Sequence, residues 1–223
     1  MISVGHDEYW TKGMRDAVEL ARDKAVKLAF LGGNDVLWQG RLEPDRAGNP
    51  RRILTVYRDA DRDPVDKVDP ALVSVVFIDP VLNRPQNSLT DTDFGGIIEQ
   101  PPGVPWVAAG TALQELLTGT GLRPVDTVAD LTGKECDTVD NKGFQPKDLV
   151  IIAASSLTDK NCIAITCHTT WYRASSDAHV FNAGTLSWPA ALDDFGHHNP
   201  GLHADPRVIQ LMKNSLSIFT AAW

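Results

Sequence analysis

The sequence predicts a three-layer α/β domain built on a mostly parallel sheet with helices on its faces. Three observations predict it. Residues 26–31 form a continuous apolar run that ends in Gly32-Gly33-Asn34-Asp35, the length and punctuation of a strand buried on both faces before a tight turn. Residues 11–24 place Met14, Ala17, Val18 and Ala21 at spacings of three and four, the period of one helix face. Met1-Ile2-Ser3-Val4 reads as a strand, so the chain runs strand, helix, strand, turn, the order of a parallel sheet with crossover helices.

The elements follow in order. Thr11 is the expected N-cap of the first helix, and its second face carries Arg15, Glu19, Arg22 and Asp23. Residues 36–39 predict the start of a short helix, 41–52 a loop and 53–57 a short strand. The charged stretch 59–69 predicts a solvated loop, and the apolar run 72–78 a strand. Residues 79–106, rich in proline, predict a long irregular segment, and 112–117 a helical turn. Residues 150–155, 162–170 and 179–182 read as strands, the first two joined as a hairpin around residues 158–161. Asp205-Pro206 is an N-cap with proline at the first helical position. Val208, Leu211, Met212, Ser215 and Phe219 give that last helix its buried stripe.

With 223 residues, 43% hydrophobic and 22% charged, the chain is long enough for a core that needs no disulfide framework, and three cysteines do not make one. The net charge of −8 and the lack of a basic stripe exclude a nucleic-acid partner. No apolar run approaches the ~18 residues of a spanning helix, and no charged-then-apolar leader opens the sequence, which favours the cytoplasm and excludes a membrane partner. A strand that starts at the second residue leads to the expectation that residues 1–223 are a single domain belonging to a longer one.

Four motifs offer chemistry. Gly5-His6-Asp7-Glu8-Tyr9-Trp10 follows a strand, where ligand sites of open α/β sheets lie, although neighbouring side chains in an extended segment cannot all converge. Phe30-Leu31-Gly32-Gly33-Asn34 has the layout of a nucleophile elbow without a nucleophile, and equally that of a plain βα turn. In Gly133-Lys134-Glu135-Cys136-Asp137 the two carboxylates, two residues apart, share one strand face, suited to acid–base work or to a polar edge. Cys167 and His168 are adjacent and so face opposite ways in a strand; Cys162 and Cys167 do too. His197-His198 reads as an exposed loop pair. Trp38, Trp106 and Trp188 serve either core packing or the stacking of a carbohydrate or peptide, and Asn182–Trp188 reads as a turn that packs an aromatic ring.

Taken together, G-H-D-E-Y-W at 5–10, R-x-A-V-E-x-A-R-D at 15–23, L-A-F-x-G-G-N at 28–34, W-Q-x-R at 38–41, D-P at 79–80, R-P at 84–85, G-T-G-L at 119–122, A-G-T-L-x-W at 183–188 and A-D-P-R-V at 204–208 resemble the C-terminal domain of the large (β) subunit of N,N-dimethylformamidase. The resemblance implies a class I glutamine amidotransferase-like fold and the hydrolysis of a small amide by a mononuclear iron held by two tyrosines and a glutamate. The iron would polarise the carbonyl and activate water. Tyr9 stands at one tyrosine ligand. Gln86, in Arg84-Pro85-Gln86, stands at the expected glutamate and is a poorer ligand for a hard ion. The second tyrosine falls upstream of Met1. The amidotransferase cysteine and His-x-Glu are absent. His6 and Glu135 are the candidate catalytic residues, either of which would orient water or substrate, and a small partner subunit or a homo-oligomer is the expected assembly. The alternative is a degenerate α/β module kept for binding or assembly.

Overall fold

The computed structural model describes residues 1–99, 103–109, 114–140, 143–195 and 201–221. It is a mixed α/β structure with several sheets, mostly strands and few helices. The elements are β1 (Ile2–Val4), β2 (Tyr9–Thr11), α1 (Lys12–Asp23), β3 (Leu28–Leu31), β4 (Trp38–Glu43), β5 (Ile53–Thr55), α2 (Asn87–Thr90), β6 (Asp93–Ile98), β7 (Val104–Val107), α3 (Gln114–Leu117), β8 (Thr127–Thr132), β9 (Lys134–Thr138), β10 (Val150–Thr158), β11 (Ala164–Arg173), β12 (His179–Asn182) and α4 (Pro206–Thr220).

The largest sheet has the order β1-β3-β12-β11-β10. Its β1, β3 and β12 are parallel, whereas β11 runs antiparallel to both β12 and β10. The expected mostly parallel sheet is thus corrected to a parallel half and an antiparallel half. The reason is connection length: β10–β11 and β11–β12 are joined by short turns at residues 159–163 and 174–178, and only antiparallel neighbours can be linked so tightly. β2 pairs with β4 in parallel and β4 with β5 antiparallel, while β6–β9 and β7–β8 are antiparallel ribbons.

Alternate residues of the central strands feed two cores. Ala29, Leu31, Trp171 and Phe181 face one, with Trp106, Trp188 and the Val208, Leu211 and Met212 stripe of α4. Leu28, Phe30, Tyr172 and Val180 face the other, with Trp10, Phe77 and Leu89. All four residues of β3 are buried, as its apolar run predicts. Both long helices start as expected: Thr11 Oγ1 accepts from Met14 N at 3.2 Å, and Asp205 caps α4 with Pro206 behind it. Trp106 and Trp188 are buried against each other, with ring centroids 6.2 Å apart, so neither stacks a ligand.

Four local expectations are corrected. Residues 36–39 lead into β4 rather than a helix, because the backbone N–H groups of Val36 and Leu37 are taken by Asp7 and Glu8 carbonyls. Residues 72–78 leave a 3-10 turn at Leu72, make one isolated bridge, Trp38 to Val76, and enter a further turn at 77–78, in place of a strand. The prolines in 79–106 punctuate α2, β6 and β7 instead of abolishing them. The apolar stripe of α1 is split: Met14 and Ala17 are exposed, Val18 packs against the second core, and Arg15 is fully buried. His197 and His198 lie outside the described residues, as do 112 and 113 of the expected helical turn. Among the described residues no helix is long and apolar enough to cross a membrane.

Cys136 on β9 and Cys167 on β11 form a disulfide with Cα atoms 5.8 Å apart, while Cys162 is free and exposed. Under denaturing, non-reducing conditions iodoacetamide is expected to alkylate one thiol per chain, rising to three after reduction. Three before reduction would remove the cross-link from the structure.

Candidate functional site

Three segments meet at the carboxyl ends of β1, β3 and β12. They are the loop 5–8, the turn 32–35 and residues 183–187, and β9 lies across them. Gly5 N bonds Leu31 O at 3.2 Å, Thr185 N bonds Gly32 O at 2.8 Å, and Leu186 N bonds Glu135 O at 3.1 Å. The glycines of the turn permit this approach: a Cβ on Gly32 would strike the Gly5 carbonyl oxygen, and one on Gly33 would meet Glu135 O at 2.9 Å. The sequence read this turn as a βα connection; its role is to let two loops and a strand close on one another.

The structure brings His6 and Glu135 together. His6 Nε2 lies 3.1 Å from Glu8 Oε2, and Nδ1 lies 3.8 Å from Glu135 Oε2. Asn34 Nδ2 donates to Glu135 Oε2 at 2.8 Å, and Asn34 N donates to Asp137 Oδ1 at 2.6 Å. Glu135 and Asp137 therefore act on one face of β9, as their spacing predicts. His6 is 41% exposed and Glu135 20%, so a small solute reaches both.

Behind this mouth lies a nest of buried carboxylates that sequence reasoning missed apart from Asp137. Asp137 is pushed up to about 7, chiefly by burial and further by Asp93, against N–H and O–H groups from Asn34, Asn182 and Thr92. Asp35 is raised well above the ordinary range by burial and then by Asp137 and Asp7. The Asp7 backbone N–H eases this in part, but neither Asp35 oxygen has a partner at hydrogen-bonding geometry. Asp91 is likewise raised by burial, with Thr170 Oγ1 donating to it at 2.7 Å. A possible signal was Asp91-Thr92-Asp93, a polar alternation inside a segment read as irregular.

Tyr9 and Gln86 are used elsewhere. The Tyr9 hydroxyl accepts from Arg58, whose guanidinium also lies 4.8 Å from the Trp38 ring centroid. Gln86 is buried with both ends spent: Nε2 donates to Asp35 O at 2.5 Å and Oε1 accepts from Phe94 N at 3.0 Å. A cation on the phenol and a neutral, fully engaged amide do not fit a hard ferric ion. Among the described residues no three His, Cys, Asp or Glu side chains are grouped to hold a metal.

Arg15 of the helix motif reaches Arg84 O and Pro85 O of the R-P motif, and a Cβ on Gly184 would strike the His168 carbonyl oxygen. No curated protein matches the chain. The model of the family described as N,N-dimethylformamidase beta subunit-like, C-terminal, matches residues 1–201, and the chain belongs to that family.

Proposed function

We propose that the chain hydrolyses a small amide at the His6–Glu135 mouth. The observation that carries this reading is the convergence of His6, Glu8, Asn34 and Glu135 at the carboxyl ends of the parallel strands, in a chain of an amidase-related family. A carboxylate only accepts, so the Glu8 contact puts the ring proton on Nε2 and leaves Nδ1 as the base. Nδ1 takes a proton from water as the water oxygen attacks the amide carbon. It returns that proton to the nitrogen as the C–N bond breaks, giving a carboxylic acid and an amine. Glu135, held by Asn34, sits beside the imidazolium formed between these steps. No step is routed through iron.

His6→Ala and Glu135→Gln are expected to lower hydrolysis of formamide and N,N-dimethylformamide by about 10²–10³-fold, the usual contribution of a positioned proton-transfer group. Unchanged rates in both variants would sink the assignment. Elemental mass spectrometry of untagged, folded protein is expected to find iron well below one atom per chain. One atom per chain, lost in Tyr9→Phe, would restore the iron reading.

The second reading is a non-catalytic module for binding or assembly. It is favoured by Gln86, whose amide serves the fold, and by a turn at 32–34 without a nucleophile. It predicts no turnover that responds to His6 or Glu135. On either reading, the beta-subunit description of the family supports a partner subunit, and membership supports a class I glutamine amidotransferase-like frame with β1, β3 and β12 as its parallel core.

A further inference from the structure

We propose that the cavity between α1 and the β4 strand is a binding site for a small amphipathic carboxylate, separate from the His6–Glu135 mouth. The cavity has a volume of about 740 Å³, within the range of small-ligand sites, and shares no lining residue with that mouth. Its apolar wall is built by Met14, Ala17, Leu42 and Leu72. Met14 and Leu42 are 45% and 49% exposed, so this wall is unburied apolar surface on both sides.

The cause is the packing of α1 on its arginine face. Arg15 and Arg22 turn the polar face of the helix onto carbonyls of residues 84–88, which leaves the face bearing Met14 and Ala17 open. Gly13 lines the space, and a Cβ there would meet nothing within 4 Å.

Charge names the head group. Lys12, Arg41 and Arg51 all line the cavity. Arg41 is committed to Asp63 and Glu43, and Lys12 to an exposed pair with Asp16 at 2.6 Å, a contact that water already screens. Arg51 is exposed, and no hydrogen bond or ion pair among the described residues engages it. The first turn of α1, which also lines the cavity, carries no acidic residue, so its backbone N–H groups face no competing carboxylate. Gln39 adds a buried carboxamide whose Oε1 has no partner, beside the wall formed by residues 71–73 to which its Nε2 donates. An apolar body with one anionic head satisfies the open wall and the cationic rim together.

The test is titration of the full chain with anilinonaphthalene sulfonate, followed by displacement with octanoate, octanol and octyltrimethylammonium. Octanoate is expected to displace the probe at least about tenfold more effectively than the neutral and cationic analogues. Gly13→Phe fills the space, and its Cβ is sterically free. Lys12→Glu/Arg51→Glu reverses the rim. Each is expected to weaken probe binding about tenfold or more with the melting temperature retained. Equal displacement by all three additives overturns the proposal, as does unchanged affinity in both variants. So does a change of oligomeric mass in Gly13→Phe without loss of probe binding, which would assign the wall to a second copy of the chain.

Discussion

Replacing Arg15 with alanine is expected to lower the stability of the protein by about 3–5 kcal/mol, the range for removing one partner of a buried charged network. The guanidinium is fully buried on α1 and every arm is used. Nε donates to Glu19 Oε1 at 2.8 Å, Nη1 to Arg84 O, and Nη2 to Pro85 O at 2.8 Å and Ser88 Oγ at 3.0 Å. The plane also lies 4.4 Å from the Phe77 ring centroid. Alanine leaves the carbonyls of Arg84 and Pro85 without these donors and opens a cavity under the helix. Lysine keeps the charge but lacks the planar fork, so Arg15→Lys is expected to recover only a minor part. For a chain of this length each kcal/mol moves the melting temperature about 2–4 °C, so a drop on the order of 10 °C in a thermal scan is the expected reading. A drop below about 2 °C would mean that segment 84–88 is held by other contacts. The same loss is expected to loosen Gln86, and through it the turn at Asp35, so activity at the His6 mouth should fall with stability.

Lowering the pH from 9 to 6 is expected to stabilise the protein, against the common trend for surface carboxylates. Asp35, Asp91 and Asp137 all have raised values in the folded state, so the native protein binds protons that the unfolded chain, with carboxylates near 3.9, has released. Their contribution is present in full below the unfolded value and is lost as the pH rises through the folded one. For Asp137 the loss runs from the unfolded value up to about 7 and is complete above it. Asp35 and Asp91 act in the same direction. Each buried carboxylate that keeps its proton contributes about 1.4 kcal/mol per pH unit on the way down. Burial lowers His168 and His179, so their opposing contribution enters as the pH falls below the ordinary histidine range. A melting temperature that climbs by several degrees from pH 9 to 6 and then levels is the expected curve. Asp35→Asn tests its origin, because it removes the buried charge and no partner of Asp35 reaches hydrogen-bonding geometry. It is expected to raise the melting temperature at pH 8 and to flatten the curve. A flat wild-type curve, or a variant destabilised at pH 8, would show that the nest is relieved some other way.

Much of the frame was legible because its signals are short-range. The run 28–31 could only be a strand covered on both sides, and Thr11 and Asp205-Pro206 capped the helices they announced. The alternation of Glu135 and Asp137 placed both on one face. His6 and Glu135 were each singled out by the sequence, but their meeting, and Asn34 as the link between Glu135 and Asp137, came only with the fold. The misreadings share one cause. Residues 36–43, 72–78 and 79–106 take their backbone partners from distant segments, and a window of neighbours holds no record of those partners.

The chain's family, its buried central strand and its helix caps follow from the sequence by itself, since each depends on residue types at fixed spacings. The orientation of α1 does not. Val18 of its apolar stripe packs against a core while Met14 stays exposed, and Arg15 is the side chain that goes fully inside. Carbonyls some 70 residues further along the chain supply what a buried guanidinium needs. The tertiary fold likewise gathered Asp35, Asp91 and Asp137 behind the mouth and joined Cys136 to Cys167. Charge, proton affinity and cross-linking depend on which groups share a space, and only the folded chain sets that.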